Sequence, residues 1–252
     1  MSERHFSCLL IGQPGTGKTT MALTAPKPVL VIDIDNKLHK MVNAEELLKS
    51  GEVIQWAITD PLSTMSLSRL AVIDPKPSAS ISIQRPKGYI QIADMVDRLV
   101  EKGCVIENNG KEVKVNTVVI DSYTSLNEHL KRLLMAVNGT STMTLPLYGT
   151  ALTNFETFNN TVLRLPANVI FIAHERIDKD ELSGKISYRC LIDGQMSEKI
   201  GKDFEEVYYL EKTTSGDSVK YEALTVGNSM KSCRTSRVLP AKVEPNFGNI
   251  YK

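Results

Sequence analysis

Short apolar runs ending in glycine or an acidic residue recur along this chain, and segments of helical period stand between them. Phe6 to Ile11 (FSCLLI) and Pro28 to Ile34 (PVLVIDI) are almost continuously apolar, as expected of parallel strands covered on both faces. Between them, Thr19 to Thr24 is predicted as a short helix stopped by Ala25-Pro26. Strand, loop, helix and strand in that order make a βαβ unit. Residues 37–50 read as a helix, and Val53 to Ile58 as another strand, with the only tryptophan, Trp56. From 60 to 88 the pattern breaks up around Pro61, Pro75, Pro77 and Pro86, which predicts an irregular insertion. Helical period returns over Ile90 to Lys102, where Ile92, Met95, Val96, Leu99 and Val100 share a face. Asn108-Asn109-Gly110 is a turn signal between VIE and EVKV, hence a small hairpin.

The second half repeats the alternation. TVVI (117–120) reads as a strand ending in Asp121-Ser122, followed by a helix from Leu126 to Val137 and a polar loop over 138–148. Residues 150–164 are predicted helical, and Asn168 to Ala173 a strand ending at His174-Glu175. The charged stretch from Asp178 to Gly194 reads as a loop or loose hairpin. EVYYLEK, TTSGDS and VKYEALTV then read as strand, turn and strand, and the last fifteen or so residues show no clear period. Alternating strands and helices predict an α/β fold: a twisted, mostly parallel sheet flanked by helices. Residues 1–210 are expected to form this core and 211–252 a small, β-rich C-terminal extension.

Composition narrows the function classes. A net charge of +1 excludes a globally basic nucleic-acid coat, so any such contact must come from a local patch or from several subunits. Cys8, Cys104, Cys190 and Cys233 are far apart, never in a C-x-x-C pair, which supports neither zinc nor a disulfide framework. The polar N-terminus leads into a strand, and no apolar run reaches the roughly 18 residues needed to span a bilayer. The expected location is the cytoplasm, with no membrane partner.

The strongest chemical signal is Gly12-Gln13-Pro14-Gly15-Thr16-Gly17-Lys18-Thr19, a match to G-x-x-x-x-G-K-[ST] at every fixed position. Glycines let the backbone wrap and aim its N–H groups at phosphate oxygens. Lysine brings a mobile positive charge to the β and γ phosphates, and the threonine hydroxyl ligates magnesium. With Thr20, these residues form the expected ATP-binding set. A chance glycine-rich turn is the bland alternative, weakened by the apolar strand before it and the helix after it. Asp121, at the end of a β-favouring run, is the matching magnesium partner of Thr19. Asp33 and Asp35 end the second strand, and either could polarise the attacking water. Alternation alone sends both to one side and cannot choose, and either could instead cap the next helix. His174 stands where a γ-phosphate sensor would sit, although a lone histidine is more often structural.

GTP is disfavoured: no D-x-x-G follows Asp121, and Asn36-Lys37-Leu38-His39 fails as N-K-x-D. Leu182-Ser183-Gly184 follows the aspartate, whereas a transporter-ATPase signature must precede it. A small-molecule kinase would need the 176–189 loop as its arginine-bearing lid.

Four segments, GQPGTGKT, LVIDID, TVVIDSYTSL and VIFIAHER, resemble the RecA-like ATPase core in order. In particular they look like the small phage-encoded RecA-like ATPases of recombination and single-strand annealing. The resemblance places the water-activating carboxylate on Asp35, shorter than the glutamate found there in RecA. It places the magnesium aspartate on Asp121 and the phosphate-sensing position on His174, with Glu175 beside it. It implies DNA-binding loops at 138–148 and 176–190, the latter carrying Arg176, Lys179, Lys185 and Arg189. Tyr148 and Tyr188 are candidates to stack on bases. It further implies a ring or filament of identical subunits with ATP at the interfaces and a basic residue reaching in from the neighbour. Lys231, Arg234 and Arg237 are the candidates for that residue. The implied activity is DNA-stimulated ATP hydrolysis on single-stranded DNA, in the host cytoplasm if phage-encoded, with a single-strand-binding protein as a further partner. The alternative is an oligomer that ATP orders on DNA with negligible turnover.

Overall fold

The computed structural model describes residues 5–60, 86–181 and 184–251. In chain order these form β1 (Ser7–Gly12), α1 (Lys18–Ala22), β2 (Val29–Asp33), α2 (Ala44–Ser50), β3 (Val53–Ala57) and α3 (Gly88–Glu101). The hairpin β4 (Val105–Asn108) and β5 (Lys111–Lys114) follows, then β6 (Thr117–Asp121), α4 (Tyr123–Val137), α5 (Leu145–Val162), β7 (Asn168–Lys179) and β8 (Ile186–Cys190). The chain closes with α6 (Met196–Lys199), β9 (Glu206–Ser215), β10 (Ser218–Leu224), β11 (Lys242–Val243) and α7 (Phe247–Ile250). The expected insertion at 60–88 falls almost wholly on residues 61–85, outside the described residues.

The main sheet runs β11-β10-β9-β1-β7-β6-β2-β3, with β8 added to β7. From β9 to β3 every pairing is parallel, and the β9–β10, β10–β11 and β7–β8 pairings are antiparallel. The continuous apolar runs are explained by burial on both faces. Leu9, Ile11, Leu30, Ile32, Val118, Ile120, Val169 and Phe171 belong to one core, which includes residues of α3, α4 and α5. Their neighbours Cys8, Leu10, Val29, Val31, Val119, Ile170 and Ile172 belong to the other, with Met21 and Ala22 of α1 and Phe247 and Ile250 of α7. Each strand divides its side chains between the two cores by simple alternation. The β-rich C-terminal part continues this sheet, since β9 pairs directly with β1.

Three local expectations differ from the structure. The helix expected over 37–50 is broken into a 3-10 turn at Leu38–Lys40 and α2. Asp33 accepts the N–H groups of Lys37 and Leu38 at 3.1 and 2.8 Å, and Asn43 takes a left-handed conformation, φ 65°. The polar loop expected over 138–148 ends early, because α5 starts at Leu145 with Pro146 in its first turn, where the missing N–H costs nothing. α4 starts three residues before the expected Leu126, at Tyr123, because the Ser122 side chain caps it by accepting the Ser125 N–H at 3.2 Å. Of the loop or loose hairpin expected from Asp178 onward, the hairpin is what forms: β7 runs on to Lys179 and pairs antiparallel with β8. The tail without period holds β11 and α7, where Phe247 and Tyr251 stack on Phe6.

Candidate active site

The alternation that divides the core also aims the site. Ile11, Ile32, Ile120 and Ala173 all face the α3–α5 core, so the residue after each faces α1. Those residues are Gly12, Asp33, Asp121 and His174, set by the register in two level pairs, Asp33 opposite Asp121 and Gly12 opposite His174; Asp121 is opposite Ile172, so the second pair stands two residues further along. Four strands thus deliver glycine, two carboxylates and an imidazole to one edge of the sheet. They meet over a cavity of about 280 Å³ lined by Pro14, Gly15, Gly17, Lys18, Thr19 and Thr20 of the loop, with Asp33, Asp35, Lys37, Asp121 and His174.

The loop needs its glycines for two different reasons. A Cβ at Gly12 would lie 2.6 Å from the Leu210 carbonyl oxygen on β9 and 2.8 Å from Thr16 Oγ1, so close approach excludes a side chain. Gly17 caps α1 at φ 86°, a left-handed conformation in which a Cβ is strained. Thr16 Oγ1 donates to the Gln13 carbonyl at 2.8 Å, and Lys18 Nζ donates to the carbonyls of Gly12 and Gln13 at 2.8 and 2.7 Å. The lysine is thereby held inside the loop. Burial brings its ammonium down to about 8, with the charges of Asp121 and Glu175 opposing the fall.

Thr19 Oγ1 donates to Asp121 Oδ2 at 2.6 Å, which brings together the two expected magnesium ligands from residues 102 positions apart. Burial pushes the Asp121 carboxyl up to about 6; the Thr19 bond resists, and the charges of Asp33 and Asp35 add to the rise. Among the described residues no group of three or more His, Cys, Asp or Glu is placed to hold a metal. One carboxylate and one hydroxyl suit magnesium, which keeps several waters and completes its shell with phosphate oxygens.

The two carboxylates that alternation could not separate have different surroundings. β2 ends at Asp33, so the period of two does not extend to Asp35. Asp33 is buried and, besides the two backbone N–H groups, accepts Gln55 Nε2 at 2.7 Å. It is therefore committed to holding the turn after β2. Asp35 accepts the Ser125 hydroxyl at 2.5 Å on Oδ1 and pairs with Lys37 Nζ at 3.4 Å on Oδ2. Ser125 also contacts the Ser122 hydroxyl at 2.9 Å. Neither Ser125 nor Lys37 stood out in the sequence; the available signal was Ser122-x-x-Ser125, which places two hydroxyls on one turn.

His174 and Glu175 part company. His174 lines the cavity, its N–H donates to Thr124 Oγ1 at 3.1 Å, and its Nδ1 has no hydrogen-bond partner. Burial first, then the charge of Lys18, holds its imidazole below the ordinary value. Glu175 faces the opposite side of the sheet, where its Oε2 lies 3.6 Å from Lys231 Nζ. Lys231 also pairs with Glu211 at 3.0 Å and sits over the Tyr188 ring at 4.6 Å. In this structure Lys231 is buried within its own chain. Arg234 is exposed and donates to the Lys202 carbonyl at 3.0 Å, and Arg237 stacks on Tyr251 at 3.7 Å.

The basic residues of 176–190 lie on β7, β8 and the turn joining them. Arg176 and Arg189 both approach Asp178, at 3.2 and 3.5 Å, and Arg176 also donates to the Ile192 carbonyl at 3.3 Å. Lys179 and Lys185 are exposed. Tyr148, on α5, lines a separate cavity with Leu145, Leu152, Phe155 and Met196.

The family described as AAA domain matches residues 4–242, nearly the whole chain. This chain belongs to the AAA domain family. Its strand order, phosphate loop and strand-end aspartate make it a RecA-like P-loop ATPase core, with the AAA domain's match running from before β1 into β11. No curated protein matches the sequence. A KaiC-like protein from Pyrococcus horikoshii OT3 is 15% identical, covering 96% of this chain and 87% of that one, with a TM-score of 0.47. The flagellar accessory protein FlaH from Methanocaldococcus jannaschii is 11% identical over the same shares, with a TM-score of 0.41. Both are similar to this AAA domain too distantly to add to the reading of its site. No helix among the described residues is long and apolar enough to cross a membrane.

Proposed function

We propose that this AAA domain hydrolyses ATP with magnesium and acts on single-stranded DNA, in recombination, strand annealing or repair of the phage type. The observation that carries the reading is the convergence of Lys18, Thr19, Asp121, Asp35 and His174 on one cavity. Lys18 neutralises charge on the β and γ phosphates. Thr19 and Asp121 would hold magnesium, which when bound screens phosphate charge and fixes the phosphate oxygens. Asp35 takes the proton of the attacking water, held in place by Ser125. His174, neutral at pH 7 and with an unengaged Nδ1, faces the terminal phosphate and transmits its presence along β7 to the β7–β8 hairpin. Catalysis comes from positioning and fixed charge.

Support for the nucleic-acid part is the direct continuation of the sensor strand β7 into the hairpin. Beside that hairpin runs a groove of about 820 Å³ whose lining includes Lys185, Arg189, Lys202 and Arg234. A backbone-tracking contact to single strands needs such charge. Assembly as a ring or filament would carry the DNA across several such grooves. The second reading, an ATP-ordered binding protein with negligible turnover, is favoured by the short Asp35 side chain and its ties to Ser125 and Lys37.

Steady-state ATP hydrolysis with and without single-stranded DNA tests the proposal. A rate that rises severalfold with DNA supports it. ATP binding with no turnover under either condition selects the second reading, and turnover indifferent to DNA removes the nucleic-acid part.

A further inference from the structure

The phosphate chain has a direction in this site. Its terminal end is set by Lys18, Thr19, Asp121 and Asp35, which lie from β1 toward β6 and β2 in the sheet order. On the ATP reading, the nucleoside end would leave on the other side of β1, where β9 and β10 stand. Those two strands overrun β1. Gly12 is level with Leu210, so residues 211–215 of β9 and 218–222 of β10 project alongside the phosphate loop.

On the projecting part, alternation decides what faces α1. Leu210 and Ala223 pack in the α1-side core, so Lys212 and Thr214 of β9, and Tyr221 and Val219 of β10, share that face. Tyr221 lies against the loop: a Cβ at Gly17 would sit 3.6 Å from Tyr221 Cδ1. Lys212 Nζ is 5.9 Å from the ring centroid, and Lys212 is the cross-strand partner of Tyr221. Tyr221 is 42% and Val219 47% exposed. A half-exposed ring and an apolar side chain beside a phosphate loop, with a lysine at hand, have the chemistry of a nucleobase platform.

We infer that Tyr221 stacks on the base of the bound nucleotide, with Val219 extending the apolar platform and Lys212 near the α-phosphate end. The inference rests on the ATP reading above and adds the nucleoside half of the site, supplied by the C-terminal hairpin. Stacking alone does not separate adenine from guanine, so Tyr221 contributes affinity for purine nucleotides rather than choice between them.

Calorimetric titration of Mg–ATP, Mg–GTP and Mg–tripolyphosphate separates the base from the phosphates. Tyr221→Ala is expected to weaken ATP and GTP about tenfold each, about 1.4 kcal/mol, and to leave tripolyphosphate within about twofold. Tyr221→Phe keeps the ring and should bind all three like the wild type. Tyr221→Leu keeps apolar contact with the loop but lacks the ring, and should behave like the alanine variant. ATP affinity unchanged in Tyr221→Ala overturns the inference and leaves the ATP reading standing. Parallel losses for ATP and tripolyphosphate overturn it differently, by assigning Tyr221 to propping the loop at Gly17. A wild type that binds none of the three removes both.

Discussion

The strand-end cavity and the β7–β8 hairpin are neighbours with opposite charge economies. In the cavity Asp33, Asp35 and Asp121 converge around Lys18 and Lys37, and at Asp121 burial is joined by repulsion from the other two carboxylates. In the hairpin Arg176 and Arg189 both sit on Asp178. The hairpin settles much of its own charge, whereas the cavity holds charge in forms that cost folding energy. Such unsettled charge is what a metal ion and a polyphosphate would complete. The comparison also separates Lys231, buried between Glu175 and Glu211, from a surface cation that reaches for a partner.

The largest effect that sharpens this contrast is at Lys18. Lys18→Ala is expected to lower ATP hydrolysis about a thousandfold while leaving the thermal midpoint near that of the wild type. A large fall in the midpoint instead would make Lys18 a structural residue and erase the contrast. Lys231→Met should be the reverse case. It strands the nearly buried Glu175 and leaves Glu211 with Lys242 alone, and should cost about 3 kcal/mol in urea denaturation. If stability holds while hydrolysis is lost, Lys231 acts between subunits and its pairing within the chain is not its working state.

Asp121→Asn comes next, with a sign set by linkage. The folded carboxyl sits at about 6, above its ordinary 3.8, so its stabilising share is complete below pH 4 and is lost as pH rises through 6. In the nucleotide-free protein the asparagine variant should therefore gain about 3 kcal/mol over the wild type at pH 7. The gap should close between pH 6 and 4, as read by denaturation at each pH. No gap at pH 7 would mean the aspartate is solvated and the cavity not strained. The smallest effect is at the hairpin: Lys179→Ala should weaken single-stranded DNA binding a few-fold and reduce the log–log salt slope by about 0.7. An unchanged slope moves the DNA elsewhere.

The core of the fold was legible because each apolar run had to be covered twice, and only a parallel sheet between two layers does that. The phosphate loop was legible because its chemistry is local: eight consecutive residues fix both the backbone shape and the charge. Asp33 and Asp35 were not separable by period, since the strand stops at Asp33 and the hydrogen bonds that tell them apart come from Gln55 and Ser125, 22 and 90 positions away. His174 and Glu175 look alike as a pair at a strand end, yet adjacent strand residues face opposite sides, and the register with β1 decides which one meets the cavity. The Lys231 contacts join segments distant in sequence and carry no local pattern at all.

Hydrolysis by Asp35→Asn, measured beside Asp33→Asn, decides whether Asp35 activates the water. Asp35→Asn is expected to bind Mg–ATP like the wild type, keep its stability and hydrolyse about a hundredfold more slowly. Asp33→Asn should instead lose stability, because its carboxylate holds two backbone N–H groups and Gln55. Wild-type turnover in Asp35→Asn would exclude Asp35 as the base, and water activation would then have to come from another group at this sheet edge.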